Sequence, residues 1–218
     1  ALEMPLTDLF EPTNKDRKLA GNTVLHYHKL LSSILTAAVR WQVIPSNPCE
    51  RVAPPKVERK EAVYLDEEQA ADLLAALDKE SMQHQVIVKL LLFTGMRRGE
   101  LCGLEWKDID FERAVIFVRR SSLYMAGRGV FEDETKNTSS ERCMKVSADV
   151  VSMLRAWRAE QSKQRLRMGD QWQDSDRLFT TWNGAPIRPD GITAWFHKFV
   201  TKNGLPPIHI HSLRHTNA

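Results

Sequence analysis

Apolar residues recur at helical spacing between positions 22 and 41, where Val24, Leu31, Leu35 and Ala38 share one side, and the pattern predicts an amphipathic helix with Asn22 as its N-cap. The pattern breaks at Ile44-Pro-Ser-Asn-Pro48, and Ala53-Pro-Pro-Lys-Val-Glu-Arg-Lys60 follows as a stiff, basic connector. That connector is the expected domain boundary: a partial helical domain over 1–53, a basic linker over 54–61 and a second domain over 62–218. The first part contains the polar run Glu11-Pro-Thr-Asn-Lys-Asp-Arg-Lys18 and supplies only a few short helices, as the remnant of a larger helical module would.

After the connector, Asp66-Glu-Glu-Gln69 fits a capping box ahead of a helix with Ala70, Leu73, Leu74 and Leu77 on its apolar face. Val86, Ile87, Leu90, Leu91 and Phe93 continue as a largely buried helix that Gly95 can stop, and Arg97 to Leu104 begins another. From Asp108 the character changes. Ala114–Arg119, Val130–Thr135 and Arg142–Ser147 are β-rich or alternating, separated by Gly127, Gly129 and Asn137-Thr-Ser-Ser140, which predicts a small antiparallel sheet. Helical spacing returns with Val150, Val151, Leu154 and Trp157 behind Ser147, and again from Ile192 to Phe199 after the turn Asn183-Gly-Ala-Pro186. The expected fold is mainly α with a small antiparallel β-sheet.

Composition adds bounds. The 218 residues, 42% hydrophobic and 27% charged, suffice for one large domain or two small ones. No apolar run approaches the roughly 20 residues that span a bilayer, and the first ten residues lack the pattern of a secretory signal, so a cytoplasmic protein without a membrane partner is expected. Cys49, Cys102 and Cys143 are far apart and read as reduced thiols. A net charge of +3 permits an anionic partner without requiring one.

Three separated pieces carry candidate chemistry. In Thr94-Gly-Met-Arg-Arg-Gly-Glu-Leu101, Arg97 sits in the first turn of a helix within reach of Glu100; taken alone, it could equally be an ordinary surface ion pair. Thr135-Lys136-Asn137-Thr138, with Arg142 on the next strand, puts a lysine near a hairpin turn, where a charged residue is usually just solvated. In His209-Ile-His211-Ser-Leu-Arg214-His-Thr216, a helix beginning at Ser212 would place His211 at its N-cap and Arg214 one turn in, an arrangement suited to a phosphate. A metal site using His209, His211 or His215 is the alternative, although no carboxylate or cysteine lies near enough in sequence to complete a ligand set.

The order G-M-R-x-x-E, then T-K in a β-hairpin, then H-x-L-R-H-T resembles the catalytic domain of the tyrosine recombinases, especially integrases of conjugative transposons and temperate phages. Thr23-Val-Leu-His-Tyr-His28, Leu31-Ser-Ser-Ile-Leu-Thr-Ala-Ala38 and Asn47-Pro48 resemble the end of that family's helical core-binding domain, so the likeness covers nearly the whole chain. The resemblance implies site-specific cutting and rejoining of double-stranded DNA through a 3′-phosphotyrosine, without metal or other cofactor. Arg97 and Arg214 match its two phosphate-gripping arginines, Lys136 the lysine that protonates the leaving 5′ oxygen, and His211 the histidine of the H-x-x-R box. It also implies a homotetramer on DNA for a full-length member, and a monomer or weak dimer for these residues.

Tyr27, Tyr64 and Tyr124 all precede Arg214, in segments that do not match the nucleophile motif, so these residues alone are expected not to cleave. Further DNA contacts are expected from Lys56, Arg59 and Lys60 in the connector and from Arg119, Arg120 and Arg128 near the sheet. Rival readings are a non-catalytic DNA-binding protein on the same fold, a metal-dependent hydrolase built on the histidines, and a type IB topoisomerase.

Overall fold

The computed structural model describes residues 19–54, 64–133 and 142–216. Lys56, Arg59, Lys60 and Lys136 lie outside the described residues. Contacts divide the chain into two compact units, Ala1–Glu61 and Ala62–Ala218.

The first unit is built on α1 (Gly21–Arg40). Its N-cap is Ala20, not Asn22: the chain already enters helical geometry at Gly21, so Asn22 lacks the extended backbone that a capping side chain needs. Leu31, Leu35 and Ala38 are half-buried, while Val24 is exposed along with Tyr27, Leu30 and Ile34. Asn47 holds the following 3₁₀ turn, Pro48–Arg51, against this helix. Its amide donates to the Ser32 carbonyl and hydroxyl and to the Thr36 hydroxyl at 3.0–3.1 Å, and its oxygen accepts from the Cys49 N–H at 3.0 Å. A buried amide with each group paired fixes a turn more firmly than apolar contact alone.

The second unit opens with α2 (Glu67–Leu77), capped as expected by the reciprocal bonds of Asp66 and Gln69. Next comes α3 (Met82–Thr94), buried along most of its length and closed by Gly95 in the left-handed conformation at φ 59°. Phe93 is the exception to its apolar run; helical rotation carries it to the outside, where it is 51% exposed. After α4 (Arg98–Gly103) come β1 (Ile109–Asp110), β2 (Val115–Val118), β3 (Ser121–Met125), β4 (Gly129–Asp133) and β5 (Arg142–Lys145).

The strands form two antiparallel sheets where one was expected. One has the order β1-β2-β5, and the other is the hairpin β3-β4. The strand β3 is invisible to hydrophobic alternation because it starts with Ser121 and Ser122. Its place is set by close approach to α4: a Cβ on Gly99 would lie 2.4 Å from the Ser121 hydroxyl and 3.1 Å from the Ser122 carbonyl. Among the described residues β4 pairs with β3 and β5 with β2, while the hairpin turn expected around Lys136 lies outside the described residues.

The core is completed by α5 (Ala148–Met168), α6 (Pro189–Lys202) and α7 (Ser212–Thr216). Ser147 caps α5, whose buried face carries Val150, Leu154, Trp157 and Gln161. The Trp157 indole N–H and the Gln161 amide both donate to the Leu178 carbonyl, at 2.8 and 3.1 Å, docking α5 on the segment that leads to α6. The amphipathic helix α6 begins at Pro189, before the Ile192 expected from periodicity, since proline fits a first helical turn. Among the described residues, no helix is long and apolar enough to cross a membrane.

His84, near the start of α3, stacks on Trp195 of α6 with ring centroids 3.7 Å apart and planes 6° from parallel. Burial lowers its pKa from the ordinary 6.5, with Glu80 opposing the shift. The stacked ring is therefore favoured in its neutral form. As pH falls below 6.5 the unfolded chain takes up a proton that the folded chain resists, so folding stability declines. One such group gives a slope of at most about 1.4 kcal/mol per pH unit. Thermal melts between pH 7.5 and 5 should show a decline in midpoint that His84→Gln makes shallower.

Candidate active site

The chain turns sharply where α3 ends. Gly95 supplies the left-handed residue, and the Thr94 hydroxyl donates back to Leu90 O at 2.5 Å. Met96 then points inward and is 1% exposed, whereas the Arg97 side chain is 60% exposed. An apolar anchor next to an outward cation fixes the direction of the arginine. Arg97 is the N-cap residue of α4, one position earlier than expected, because its backbone is extended at φ −74°, ψ 149°.

Glu100 governs the geometry here. It is only 5% exposed, and one carboxylate oxygen accepts from the Arg97 backbone N–H at 2.8 Å while the other accepts from Arg97 Nη1 at 2.9 Å. Arg142, the first residue of β5, lays its fork across the same carboxylate, with Nη1 to Oε1 at 3.0 Å and Nη2 to Oε2 at 2.7 Å. Burial pushes the Glu100 pKa up, but the bonds from Arg142 and from the Arg97 backbone and side chain outweigh it and leave the pKa below its ordinary value. Glu100 is thus a carboxylate held ionised by two arginines.

Arg214 reaches the same turn from the other end of the chain. Leu213, fully buried, seats α7 in the core, and the Thr216 hydroxyl accepts from the Leu65 N–H at 3.1 Å. From that anchored turn the half-buried Arg214 donates through Nη1 to the Gly95 carbonyl at 2.9 Å. The glycine that ends α3 thereby positions both Arg97, two residues on, and Arg214, far away in sequence. His211 directly precedes α7, as expected, and is exposed; its carbonyl accepts from the Arg214 N–H at 3.2 Å. His209 and His211 are exposed and alternate with the buried Ile208 and Ile210. Among the described residues, no three His, Cys, Asp or Glu side chains gather as a metal-holding group.

The arginines expected near the sheet have different fates. Arg128, in the β3-β4 turn, is exposed and stacks over Phe131 at 4.1 Å. Arg119 has a half-exposed side chain, 3.6 Å from Asp108 and over Phe117. Arg120 turns inward, with its side chain 13% exposed, Nη1 2.5 Å from Asp108 Oδ2 and 3.1 Å from the Gly103 carbonyl, and Glu105 at 3.2 Å. Arg120, expected to face DNA, is instead engaged within the fold: the 1%-exposed Asp108 needs a cation, and Arg120 supplies it. Arg177, which sequence reasoning passed over, joins the same cluster through Gly103 and Glu132. Also missed was Arg188, stacked 3.5 Å from the centroid of the Tyr124 ring, and no local spacing links that pair. The buried Cys102 thiol, raised by desolvation to about 12, is no nucleophile.

With this geometry in view, comparison with known proteins identifies the lineage. The family model described as "Phage integrase family" matches residues 63–218. The ICEBs1 integrase of Bacillus subtilis is 25% identical over 200 residues, covering 91% of this chain and 54% of that protein. The integrase of Mycobacterium phage FRAT1 is 30% identical over 196 residues, covering 88% of this chain and 55% of that protein. The chain thus spans about half the length of the curated relatives it matches. Among solved structures, the Tn1549 transposon integrase in complex with transposon right end DNA superposes with TM-score 0.78 at 25% identity, covering 93% of this chain and 67% of that one. A lambda integrase dimer bound to a core site shares the fold, with TM-score 0.58 at 17% identity. Family match and structural likeness agree with the motif order, and the chain belongs to the phage integrase family of tyrosine recombinases.

Proposed function

We propose that these residues form the phosphate-gripping part of a site-specific DNA recombinase that cuts and rejoins DNA through a 3′-phosphotyrosine. The observation that carries this reading is that both arginines are braced at the Gly95 turn, Arg214 by the Gly95 carbonyl and Arg97, two residues on, by Glu100. Arginine suits the task because its planar, permanently charged fork matches two phosphate oxygens and needs little reorganisation as charge develops there. The Tn1549 transposon integrase was solved in complex with transposon right end DNA, which supports double-stranded DNA as the partner here.

In this reading a tyrosine attacks phosphorus, the phosphodiester energy is kept in the phosphotyrosine, and the 5′ oxygen leaves with a proton from Lys136. Arg97 and Arg214 hold the non-bridging oxygens, and His211 assists beside them. Residues 1–53 act as part of a core-binding domain, and Lys56, Arg59 and Lys60 in the linker track the backbone together with Arg119 and Arg128. The working assembly is a homotetramer on paired sites in the cytoplasm, while these residues alone are a monomer or weak dimer. Tyr27, Tyr64 and Tyr124 do not match the nucleophile, so the 218 residues bind a duplex without cutting it.

Fluorescence anisotropy with a mixed-sequence duplex at several salt concentrations, paired with denaturing gels, tests this. Weak binding that falls with salt, and no protein–DNA adduct surviving denaturation, are expected. Arg97→Ala and Arg214→Ala should each lower the slope of log affinity against log salt by about 0.9, the value of one phosphate contact. An adduct formed by these 218 residues, or slopes unchanged in both variants, would refute the reading.

A further inference from the structure

Both Arg142 and Glu100 stand in the quoted motifs, yet the phosphate-gripping role leaves their pairing unexplained. Arg97 and Glu100 alone would make a neutral pair. A carboxylate bonded to a guanidinium offsets the positive charge that a phosphate is meant to meet. The carboxylate nevertheless has a use, because its bonds to the backbone N–H and to Nη1 set the direction of Arg97. Arg142 resolves the conflict. It covers both Glu100 oxygens through its fork, its own side chain is 32% exposed, and the cluster of two arginines and one glutamate keeps one positive charge in excess.

We propose that Arg142 is a positioning residue for the phosphate site: it neutralises and orients Glu100 so that Glu100 can aim Arg97 without cancelling its charge. The proposal rests on the recombinase reading for the identity of the anion and deepens it at the same site. It differs from a direct role because Arg142 acts on phosphate only through Glu100. Since Arg142 also opens β5, shortly after Lys136 in the chain, the strand leaving the lysine segment is tied to the turn that carries Arg97.

The test uses the same duplex and salt series. Arg142→Ala should lose as much salt slope as Arg97→Ala, and the double variant should lose no more than either alone. In a Glu100→Gln background, where no charge needs offsetting, adding Arg142→Ala should leave the slope unchanged. This background also removes the buried charge that could unfold Arg142→Ala on its own, and melting curves check each variant. If Arg142→Ala still lowers the slope in the Glu100→Gln background, Arg142 touches phosphate itself and the proposal is wrong. If Arg142→Ala lowers the melting midpoint while keeping the full slope, its role is structural only, and the proposal is equally wrong. A silent Arg97→Ala would instead bring down the recombinase reading of the site, and this proposal with it.

Discussion

A carboxylate buried as deeply as that of Glu100 must be matched by donors or the fold carries an uncompensated charge, and breaking such a pair costs about 3–5 kcal/mol. Its partners come from two places far apart in sequence: the residue that opens α4 and the residue that opens β5. Satisfying this one group therefore fixes the end of α3, the start of α4 and the edge of the three-stranded sheet relative to one another. The exposed arginine is positioned as a consequence. A side chain on a flexible surface turn would have to be ordered at the moment of binding, whereas Arg97 is already held in direction by Glu100.

A second buried centre does similar work on the other side of α4. Asp108 is almost fully enclosed, and Arg120 reaches it while also donating to the Gly103 carbonyl, where α4 ends; Arg177 donates to the same carbonyl and pairs with Glu132 of the β3-β4 hairpin. Among the described residues the two sheets share no backbone pairing, so this ionic cluster is one of the links between the hairpin and the rest of the unit. Close packing is the other. Gly99 and Gly103 both face β3 or the residue before it so closely that a side chain at either would press on backbone or side-chain atoms there. Both ends of a six-residue helix are thereby clamped, which suits an element that must carry an arginine without moving it.

What was legible in the sequence follows from the range of each interaction. The Asp66 capping box, the Gly95 stop and the Arg97–Glu100 pair join residues three or four apart, and pattern reading finds them because helical geometry alone brings them together. The start of α7 at Ser212 was legible for a similar reason, since buried Ile208 and Ile210 alternate with outward histidines until the helix begins. The interactions that escaped are long-range. Nothing local distinguishes Arg120 from Arg119, and only the enclosed Asp108 draws one inward and leaves the other half-exposed. The strand β3 escaped because its burial comes from a glycine-sized gap against α4, not from apolar side chains of its own. Pairing across sheets is likewise set by tertiary packing, so the division of the strands into two sheets left no mark in any one segment.

The way the arginines divide follows from what surrounds each one. Those facing enclosed carboxylates, Arg120 at Asp108 and Arg177 at Glu105, are spent inside the fold. Arg97 and Arg214 are held from behind, one by a carboxylate shared with another arginine and one by a backbone carbonyl. A carbonyl orients a guanidinium without removing its charge, whereas a carboxylate orients it and offsets the charge as well. The asymmetry between the two sites is therefore chemical: Arg214 needs no compensating cation, and Arg97 has one in Arg142. Net charge would show only a mildly basic chain, because the excess charge at the Gly95 turn is created locally, by placing Arg97 and Arg142 on a single glutamate and Arg214 on an uncharged carbonyl.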